Sequence, residues 1–403
     1  MRILQISPQI PVPPTDGGKL SVWGVTKSLA KLGHKVDFVC YLKHDNYKTS
    51  VELLKQFCTP YILNVQTDNS FWGALKKLFS PIPYNASKYI RKELVEFLHH
   101  YFKRNDVDIV QIEHLHMGWI IDEIRKLTKA KVILREQNLE MLIMRRFYEN
   151  QRNPFLKLFA KIQYRKFVKF EPQMCAKFDK VIMISKNDEK ELKKMDSSIN
   201  TITIPAGIDS QLLNYKKKDI IPFSLVHIGH TDWYPNLDGL NWFINEVLPE
   251  IIKEKPMIKL YIYGGGNTKN YSVPNELKNN VKVVGFVDNL WESLADKALA
   301  IVPLRIGGGI RIKILELLAT GTIIFTTNVG KEGISVSHNK ELLVANTKDE
   351  FINSILNYFN GNIDLKQMAK NGRKFIENNF VWEKISKKFE NVYSDLLNSK
   401  GSQ

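Results

Sequence analysis

One short stretch of the chain combines three glycines, two cations and one carboxylate. Its members are Gly307, Gly308, Gly309, Arg311, Lys313 and Glu316. An apolar run precedes them and an apolar helix-forming run follows, which predicts a strand, a glycine loop and a helix. Glycines let the backbone approach a ligand closely, and the free N–H groups and positive dipole at a helix start favour an anion. The stretch is therefore a candidate phosphate site.

The charged residues of this stretch refine that hypothesis. The first turn of a helix usually favours Asp or Glu, so Arg311 and Lys313 are predicted to serve an anionic ligand. Glu316 has two interpretations that the stretch alone leaves open. It could contact the ligand, or it could form an ordinary helix salt bridge with Lys313 three residues earlier.

Strands and helices must position these residues, and they alternate along the whole chain. Such alternation predicts parallel sheets in an α/β fold. The predicted strands are 2–7, 36–42, 106–112, 131–135, 180–185 and 201–204 in the first half, and 223–229, 258–263, 281–284, 299–303 and 322–326 in the second. The loop after the first strand carries Gly17 and Gly18 but no GxGxxG pattern, which argues against a dinucleotide fingerprint.

Four further segments accompany the glycine loop: 4–33, 226–247, 285–288 and 327–334. In this order they resemble the GT-B glycosyltransferases of the large retaining family four, the group 1 glycosyl transferases. The resemblance covers most of the chain. It implies an α/β protein with two Rossmann-like, doubly wound parallel-sheet domains that face each other across a cleft.

A chain of 403 residues has room for two such domains. We predict an acceptor-side domain at 1–212 and a nucleotide-sugar donor-binding domain at 213–379. The final segment, 380–403, is predicted to form a helix that crosses back to the first domain, as in the resembling family.

The resemblance also implies which residues form the site. His114 is the first choice for a catalytic residue and His116 the second, because both follow strand 106–112 and ligands of such sheets bind at the carboxyl ends of strands. Gly308 stands where the family has a donor-contacting glutamate, and Gln137 where it commonly has a histidine. The donor-binding residues are predicted to be Gly17, Gly18, His230, Val287, Gly307, Gly308, Gly309, Arg311, Lys313 and Glu316. For Gly17 and Gly18 a plain helix-start turn is the alternative.

Neither a metal nor a cofactor is expected. Asp106 and Asp108 form a DxD pattern, but they begin their strand and so lie at the end opposite to the ligand edge. Three separated cysteines, Cys40, Cys58 and Cys175, indicate neither a disulfide framework nor a zinc site. The nucleotide sugar is expected to be a substrate.

The net charge of +16 indicates an anionic partner, and the excess lies in two windows of the first half. Residues 76–104 hold seven basic and two acidic residues, and residues 145–180 hold ten and three. Lys157, Lys161, Arg165 and Lys169 recur every fourth residue among aromatic neighbours. This stripe is either a solvated helix face or, as we predict, an anionic membrane surface contact. A nucleic-acid partner is not predicted, because no recognition motif is present.

These observations predict a glycosyltransferase of polysaccharide biosynthesis. It would move a sugar from a nucleotide diphosphate sugar to a glycan, lipid-linked or other acceptor, with retention and without a metal. The start MRILQIS reads as a strand and no uncharged apolar run reaches about 18 residues, which predicts a cytoplasmic protein, peripheral to the inner face of the membrane. The alternatives are a non-catalytic glycosyltransferase-like binding subunit and a nucleotide-sugar epimerase of the same fold.

Overall fold

Two parallel sheets organise the chain. A computed structural model describes residues 1–42, 47–68, 70–151, 153–267, 270–361 and 365–399. Its contacts divide the chain into two units, Met1–Gly207 with Trp382–Gln403 and Ile208–Val381. Each unit contains one sheet. The predicted α/β architecture with two parallel sheets is confirmed.

The sheet of the first unit has seven strands. They are β1 (Arg2–Ser7), β2 (Lys35–Leu42), β3 (Thr59–Asn64), β4 (Ile109–Glu113), β5 (Lys131–Glu136), β6 (Lys180–Met183) and β7 (Thr201–Thr203). They lie in the order β3-β2-β1-β4-β5-β6-β7, and every neighbouring pair is parallel. All seven carboxyl ends therefore share one edge of the sheet.

Helices cover both faces of this sheet. Those that precede the second unit are α1 (Gly17–Lys31), α2 (Lys48–Lys55), α3 (Phe71–Lys76), α4 (Tyr84–Ser87), α5 (Lys92–Phe102), α6 (Ile121–Leu127), α7 (Glu140–Asn150), α8 (Pro154–Cys175) and α9 (Lys186–Met195). Successive strand residues point to opposite faces, so Leu4 and Ile6 pack in one core cluster while Ile3 packs in another. Both faces are apolar, as a doubly wound sheet requires.

The second unit repeats this arrangement with six strands. They are β8 (Ile221–Ile228), β9 (Lys259–Tyr263), β10 (Val281–Gly285), β11 (Lys297–Val302), β12 (Ile323–Thr326) and β13 (Leu343–Val344), in the order β10-β9-β8-β11-β12-β13. All neighbouring pairs are parallel. The helices are α10 (Tyr234–Trp242), α11 (Leu248–Glu254), α12 (Leu290–Leu294), α13 (Ile312–Ala319), α14 (Lys348–Phe359) and α15 (Leu365–Asn379).

The last helix, α16 (Trp382–Asn398), belongs to the first unit and packs against α1. A side chain at Gly24 of α1 would begin 2.0 Å from the Trp382 ring, so this approach requires glycine. Phe389 and Tyr393 of α16 are fully buried. The Tyr393 hydroxyl donates a hydrogen bond to Gln111 of β4. The helix thereby completes the core cluster beneath β1 and β4.

Candidate active site

The glycine loop lies at the carboxyl edge of the second sheet, between β11 and α13. Gly307 has φ +136° and Gly309 has φ +73°, conformations that favour glycine. A Cβ atom at Gly307 would also lie 2.7 Å from a guanidinium nitrogen of Arg311. Ahead of the loop, Arg305 forms a two-bond pair with Asp238 of α10, with N–O distances of 2.9 and 2.7 Å. The loop conformation is therefore fixed from both sides.

Arg311 braces this loop. It is the residue before α13, not a member of its first turn, and only 4% of its surface is exposed. Its guanidinium turns back and donates to the carbonyl oxygens of Gly308 and Gly309. The guanidinium therefore stabilises the loop itself, and the predicted contact of Arg311 with an anionic ligand stays a prediction.

Lys313 and Glu316 follow on α13, and both are half-buried. The Lys313 ammonium donates to the Ile228 carbonyl at 2.6 Å and to Asn236 Oδ1 at 2.8 Å. Burial, with a smaller effect of Arg311, lowers the pKa of Lys313 to about 7. Burial raises the pKa of Glu316 to about 8. Among the residues that the structure describes, no ion pair joins Lys313 to Glu316, so the simple helix salt bridge is not formed.

Asn236 connects the glycine loop to His230. Its side-chain amide accepts from Lys313 and donates to the His230 carbonyl at 3.1 Å, and the residue is 5% exposed. A Cβ atom at Gly229 would lie 2.6 Å from this amide, so the glycine admits it. Sequence reasoning passed over Asn236, although it lies in the segment 226–247 that carries the family resemblance.

The other predicted donor residues lie at the same edge. The ring of His230 is about half exposed, with Nδ1 3.7 Å from an Asp232 oxygen. Val287 follows β10 and is half-buried, while its neighbour Phe286 is 68% exposed. Two strands, β9 and β8, lie between β10 and β11. The second unit therefore brings His230, Lys313 and the glycine loop together and places Val287 further along the edge.

In the first unit His114 follows β4 at the carboxyl edge of its sheet. Its backbone has φ +69° and ψ 141°, a conformation that is costly for any residue with a side chain. Hydrogen bonds hold it on both sides. His114 N donates to the Arg135 carbonyl at 2.9 Å, and Leu115 N donates to Glu136 Oε2 at 2.9 Å. Such strain persists only where the surroundings enforce it, and it concentrates at functional sites.

Gly17 and Gly18 begin α1 beside this histidine. Asp16 caps the helix by accepting from Lys19 N at 2.9 Å. A Cβ atom at Gly18 would lie 3.9 Å from His114 Cε1. The two glycines therefore form a helix start, and Gly18 also adjoins His114, while their contact with the donor stays a prediction. Burial lowers the pKa of His114 to about 3, which keeps its imidazole neutral at physiological pH.

The donor-side half of this arrangement matches a known protein family. Residues 222–360, which contain the glycine loop, α13, His230 and Val287, match the family described as Glycosyl transferases group 1. Residues 222–360 therefore form a group 1 glycosyl transferase domain. Glycosyl transfer is thus its chemistry, as the sequence predicted.

A relative and two solved structures extend over nearly the full transferase. An uncharacterized 44.6 kDa protein in the cps region of Klebsiella pneumoniae is 25% identical over 98% of this chain and 99% of that protein. Sucrose-phosphate synthase from Thermosynechococcus elongatus has a TM-score of 0.71 at 16% identity, covering 99% and 100% of the two chains. Anabaena HepE, solved in complex with UDP, has a TM-score of 0.66 at 13% identity, covering 98% and 100%. These similarities confirm the GT-B fold.

His116 of the transferase is half-buried, like His114. Its Nε2 is 3.6 Å from a Glu140 oxygen, and its ring centroid is 5.4 Å from that of Tyr89. The two histidine rings are 6.4 Å apart. His116 thus contacts Glu140 and Tyr89, and its catalytic role stays a prediction.

Three buried carboxyl groups lie close to the two histidines: Glu136, Glu140 and Glu171. Glu171 of α8 accepts from the backbone N–H groups of Glu140 and Met141 at 2.8 and 2.9 Å. Burial raises the pKa of Glu140 to about 7 and that of Glu171 to about 8. The cluster thus fixes the start of α7, and through Glu136 it fixes the turn after His114. The spacing of these residues in the sequence does not predict the cluster, because its members come from three elements, β5, α7 and α8.

A second buried network lies around Glu113 at the end of β4. Glu113 accepts from Gln5 at 2.8 Å, from Gln111 at 2.7 Å, from Arg135 at 3.1 Å and from Gln137 at 3.2 Å. The sequence left the role of Gln137 open. Its side chain is 3% exposed, and in the structure it donates to Glu113. The network joins β1, β4 and β5 directly behind His114.

The described residues contain no group of three or more His, Cys, Asp or Glu side chains placed to hold a metal ion. Within the same ranges, no helix has the length and apolar character needed to cross a membrane. Asp108 precedes β4 and accepts from Arg2 N at 2.7 Å, which places it at the amino end of the sheet.

Proposed function

We propose that the transferase moves a sugar from a nucleotide diphosphate sugar to a glycan or lipid-linked acceptor, retaining the anomeric configuration and using no metal. The observation that carries this proposal is the braced glycine loop, which ends at α13 and lies over the partly desolvated Lys313. HepE was solved with UDP, and another of its structures holds UDP and glucose. These titles support a nucleotide sugar as the donor here.

The proposed chemistry depends on stabilising a leaving diphosphate. Backbone N–H groups at the start of α13 and the helix dipole supply positive potential, and Lys313 can take up a proton when an anion arrives. Arg311 would hold the loop in shape by donating to the carbonyl oxygens of Gly308 and Gly309. Glu316, half-buried on α13, can accept hydrogen bonds from the ribose hydroxyls of the donor.

His114 is proposed to contact the transferred sugar. Because its imidazole is neutral, it would hold a sugar hydroxyl by a hydrogen bond and would not act as a cation. Its strained backbone and its neighbour Gly18 support this assignment. Gly308 removes the carboxylate that family members have at that position, so recognition of the sugar in this chain would depend more on the first unit.

The cellular setting follows from the acceptor. A lipid-linked acceptor would bring the transferase to the inner face of the cytoplasmic membrane, in keeping with the excess of basic residues in the first unit. Polysaccharide biosynthesis is a process that consumes such acceptors. The relative from the cps region supports this setting, which we include in the proposal.

A panel of nucleotide sugars tests the proposal directly. A ligand present at 100 times its dissociation constant stabilises the folded state by about 2.7 kcal/mol, so a rise in Tm identifies the donor. Release of nucleoside diphosphate is then measured with and without chelator, and NMR of the product gives the anomeric configuration. Stabilisation without release or transfer would favour the binding subunit. Interconversion of the donor with no acceptor present would favour the epimerase.

A further inference from the structure

The basic helix α8 carries an exposed stripe whose members are three or four residues apart and therefore share one face. The stripe consists of Phe155, Leu158, Ile162, Arg165 and Lys169, of which Ile162 is half-buried and the others are exposed. Phe155 is 83% exposed and Leu158 59% exposed, and the two cations are also exposed. Its amino-terminal half is thus apolar and its carboxyl-terminal half basic.

The basic residues that the sequence grouped together do not all belong to this stripe. Lys157 and Lys161 lie over the ring of Tyr148 in α7, with their ammonium nitrogens 5.6 and 5.7 Å from its centroid. They cover a neighbouring helix, whereas Arg165 and Lys169 point to solvent. Two of the four cations of the predicted basic stripe thus lie against Tyr148, while Arg165 and Lys169 continue the exposed apolar side chains of α8.

A second segment adds exposed aromatic residues beside the stripe. Lys166 of α8 donates to the carbonyls of Lys77 and Leu78 at 2.6 and 2.8 Å, which fixes the turn that presents Phe79. Phe79 is 95% exposed, and Trp72 earlier in the same segment is 69% exposed. These hydrogen bonds thus fix the backbone beside Phe79, and both aromatic side chains are exposed.

The charge around these side chains is of one sign. Residues 70–92 hold five basic and no acidic residues, and residues 153–170 likewise hold five and none. Exposed Phe and Trp side chains flanked by Lys and Arg are the pattern of surfaces that lie in the headgroup region of an anionic bilayer. A soluble polyanion would explain the cations but not the fixed aromatic residues.

We propose that the α8 stripe, Phe79 and Trp72 form a docking surface for an anionic lipid bilayer, with the aromatic residues inserted and the cations over the headgroups. This surface extends the proposed function but does not depend on it, because none of its residues belongs to the glycine loop, to the histidines or to the buried carboxyl groups beside them. It would keep the transferase at a membrane whichever sugar it transfers.

Flotation with vesicles tests this surface in the full-length protein. The vesicles contain phosphatidylcholine alone, or phosphatidylcholine with one-third phosphatidylglycerol. We expect binding only to the anionic vesicles, weaker at about 0.5 M than at about 0.1 M salt. Arg165→Gln with Lys169→Gln should lower the partition coefficient roughly 30-fold, about fivefold for each cation. Phe79→Ser with Phe155→Ser and Leu158→Ser should lower it at least about tenfold.

Matched controls change exposed residues elsewhere. Lys190→Gln with Lys193→Gln removes two exposed cations of α9, and Met257→Ser removes a side chain that is 70% exposed. Both should bind vesicles like the parent protein. Equal loss in the α9 variant would overturn the proposal in favour of unspecific charge attraction. Vesicle binding by the serine variant equal to that of the parent protein would also overturn it. If this variant at the same time dissociates a dimer formed by the parent, the apolar side chains form an interface between two copies of the chain.

Donor binding separates this proposal from the proposed function. The thermal shift with nucleoside diphosphates should be the same in the parent and in all docking-surface variants. Vesicle binding without a thermal shift by any nucleoside diphosphate would support the docking surface and contradict the proposed donor. A thermal shift without vesicle binding would support the proposed donor and contradict the docking surface.

Discussion

Glu316 should contribute to donor binding in a manner that depends on pH, and Glu316→Gln exposes this dependence. A charged acceptor contributes about 1.5–3 kcal/mol and a neutral one about 0.5–1.5 kcal/mol, so the ionised glutamate should bind ribose about 1–1.5 kcal/mol better than glutamine. The pKa of Glu316 is about 8 in the free protein. Ionising it at pH 7 therefore costs about 1.4 kcal/mol, which cancels the gain.

The sign follows from the raised pKa. Below about pH 8 the free protein holds Glu316 protonated and the advantage of the carboxylate is lost, whereas above that pH it is fully present. We expect the parent protein and Glu316→Gln to have nearly equal donor affinity at pH 7. At about pH 9 the parent should bind roughly tenfold more tightly.

Lys313 works in the opposite direction. Its pKa is about 7 in the free protein, and a bound diphosphate favours the charged form, so affinity should fall as the pH rises above 7. The parent should therefore show a bell-shaped affinity profile with its maximum between the two pKa values, near about pH 7.5. Lys313→Gln should leave only the rising limb, and Glu316→Gln only the falling limb.

Calorimetry with the nucleoside diphosphate that stabilises the protein most gives these affinities between about pH 6 and pH 9. The heat measured in buffers of different ionisation enthalpy also counts the protons exchanged. Glu246→Gln, an exposed change in the same unit, is the control and should follow the parent. A constant ratio between parent and Glu316→Gln across this range would show that Glu316 ionisation takes no part in binding.

Three further predictions concern the first unit and the reaction. His114→Ala should lower turnover by roughly 10²- to 10⁴-fold while nucleoside diphosphate binding by calorimetry stays unchanged; His114→Gly should unfold at a higher temperature than His114→Ala, because glycine relieves the positive φ. Chelator should leave the rate of transfer unchanged, and activity restored only by added metal would contradict the proposed mechanism. Gly24→Ala should destabilise the protein by about 1–3 kcal/mol in denaturant unfolding, since its methyl group would overlap Trp382, whereas the same change in an uncrowded helix stabilises.

The fold was predictable where the sequence pattern is long and repetitive. Parallel strands buried on both faces read as apolar runs between helices, and the eleven predicted strands all have counterparts in the structure. The edge strands β3 and β13 were missed. β3 contains a proline and is only half-buried, and β13 has two residues, so neither presents a run long enough to recognise.

The site was predictable only in outline. The glycine loop and the position of His114 follow from local sequence, because both depend on which strand end the residues succeed. The direction of a side chain does not. Arg311 turns back onto its own loop, where it donates to two carbonyl oxygens. Lys313 donates a hydrogen bond to Asn236, which is distant in sequence. Contacts of this kind are decided by tertiary packing.

Two groups of residues, one in each unit, share one physical feature. In the second unit Lys313 and Glu316 lie where burial disfavours their charged forms, and in the first unit His114 combines a disfavoured charge with a strained backbone. Packing alone gains nothing from these arrangements, since apolar residues would fill the same positions at lower cost. A bound phosphate, ribose or sugar would stabilise all three groups. Shifted pKa values and backbone strain, found together at the carboxyl edges of two sheets, therefore indicate binding chemistry better than any of the residue types alone.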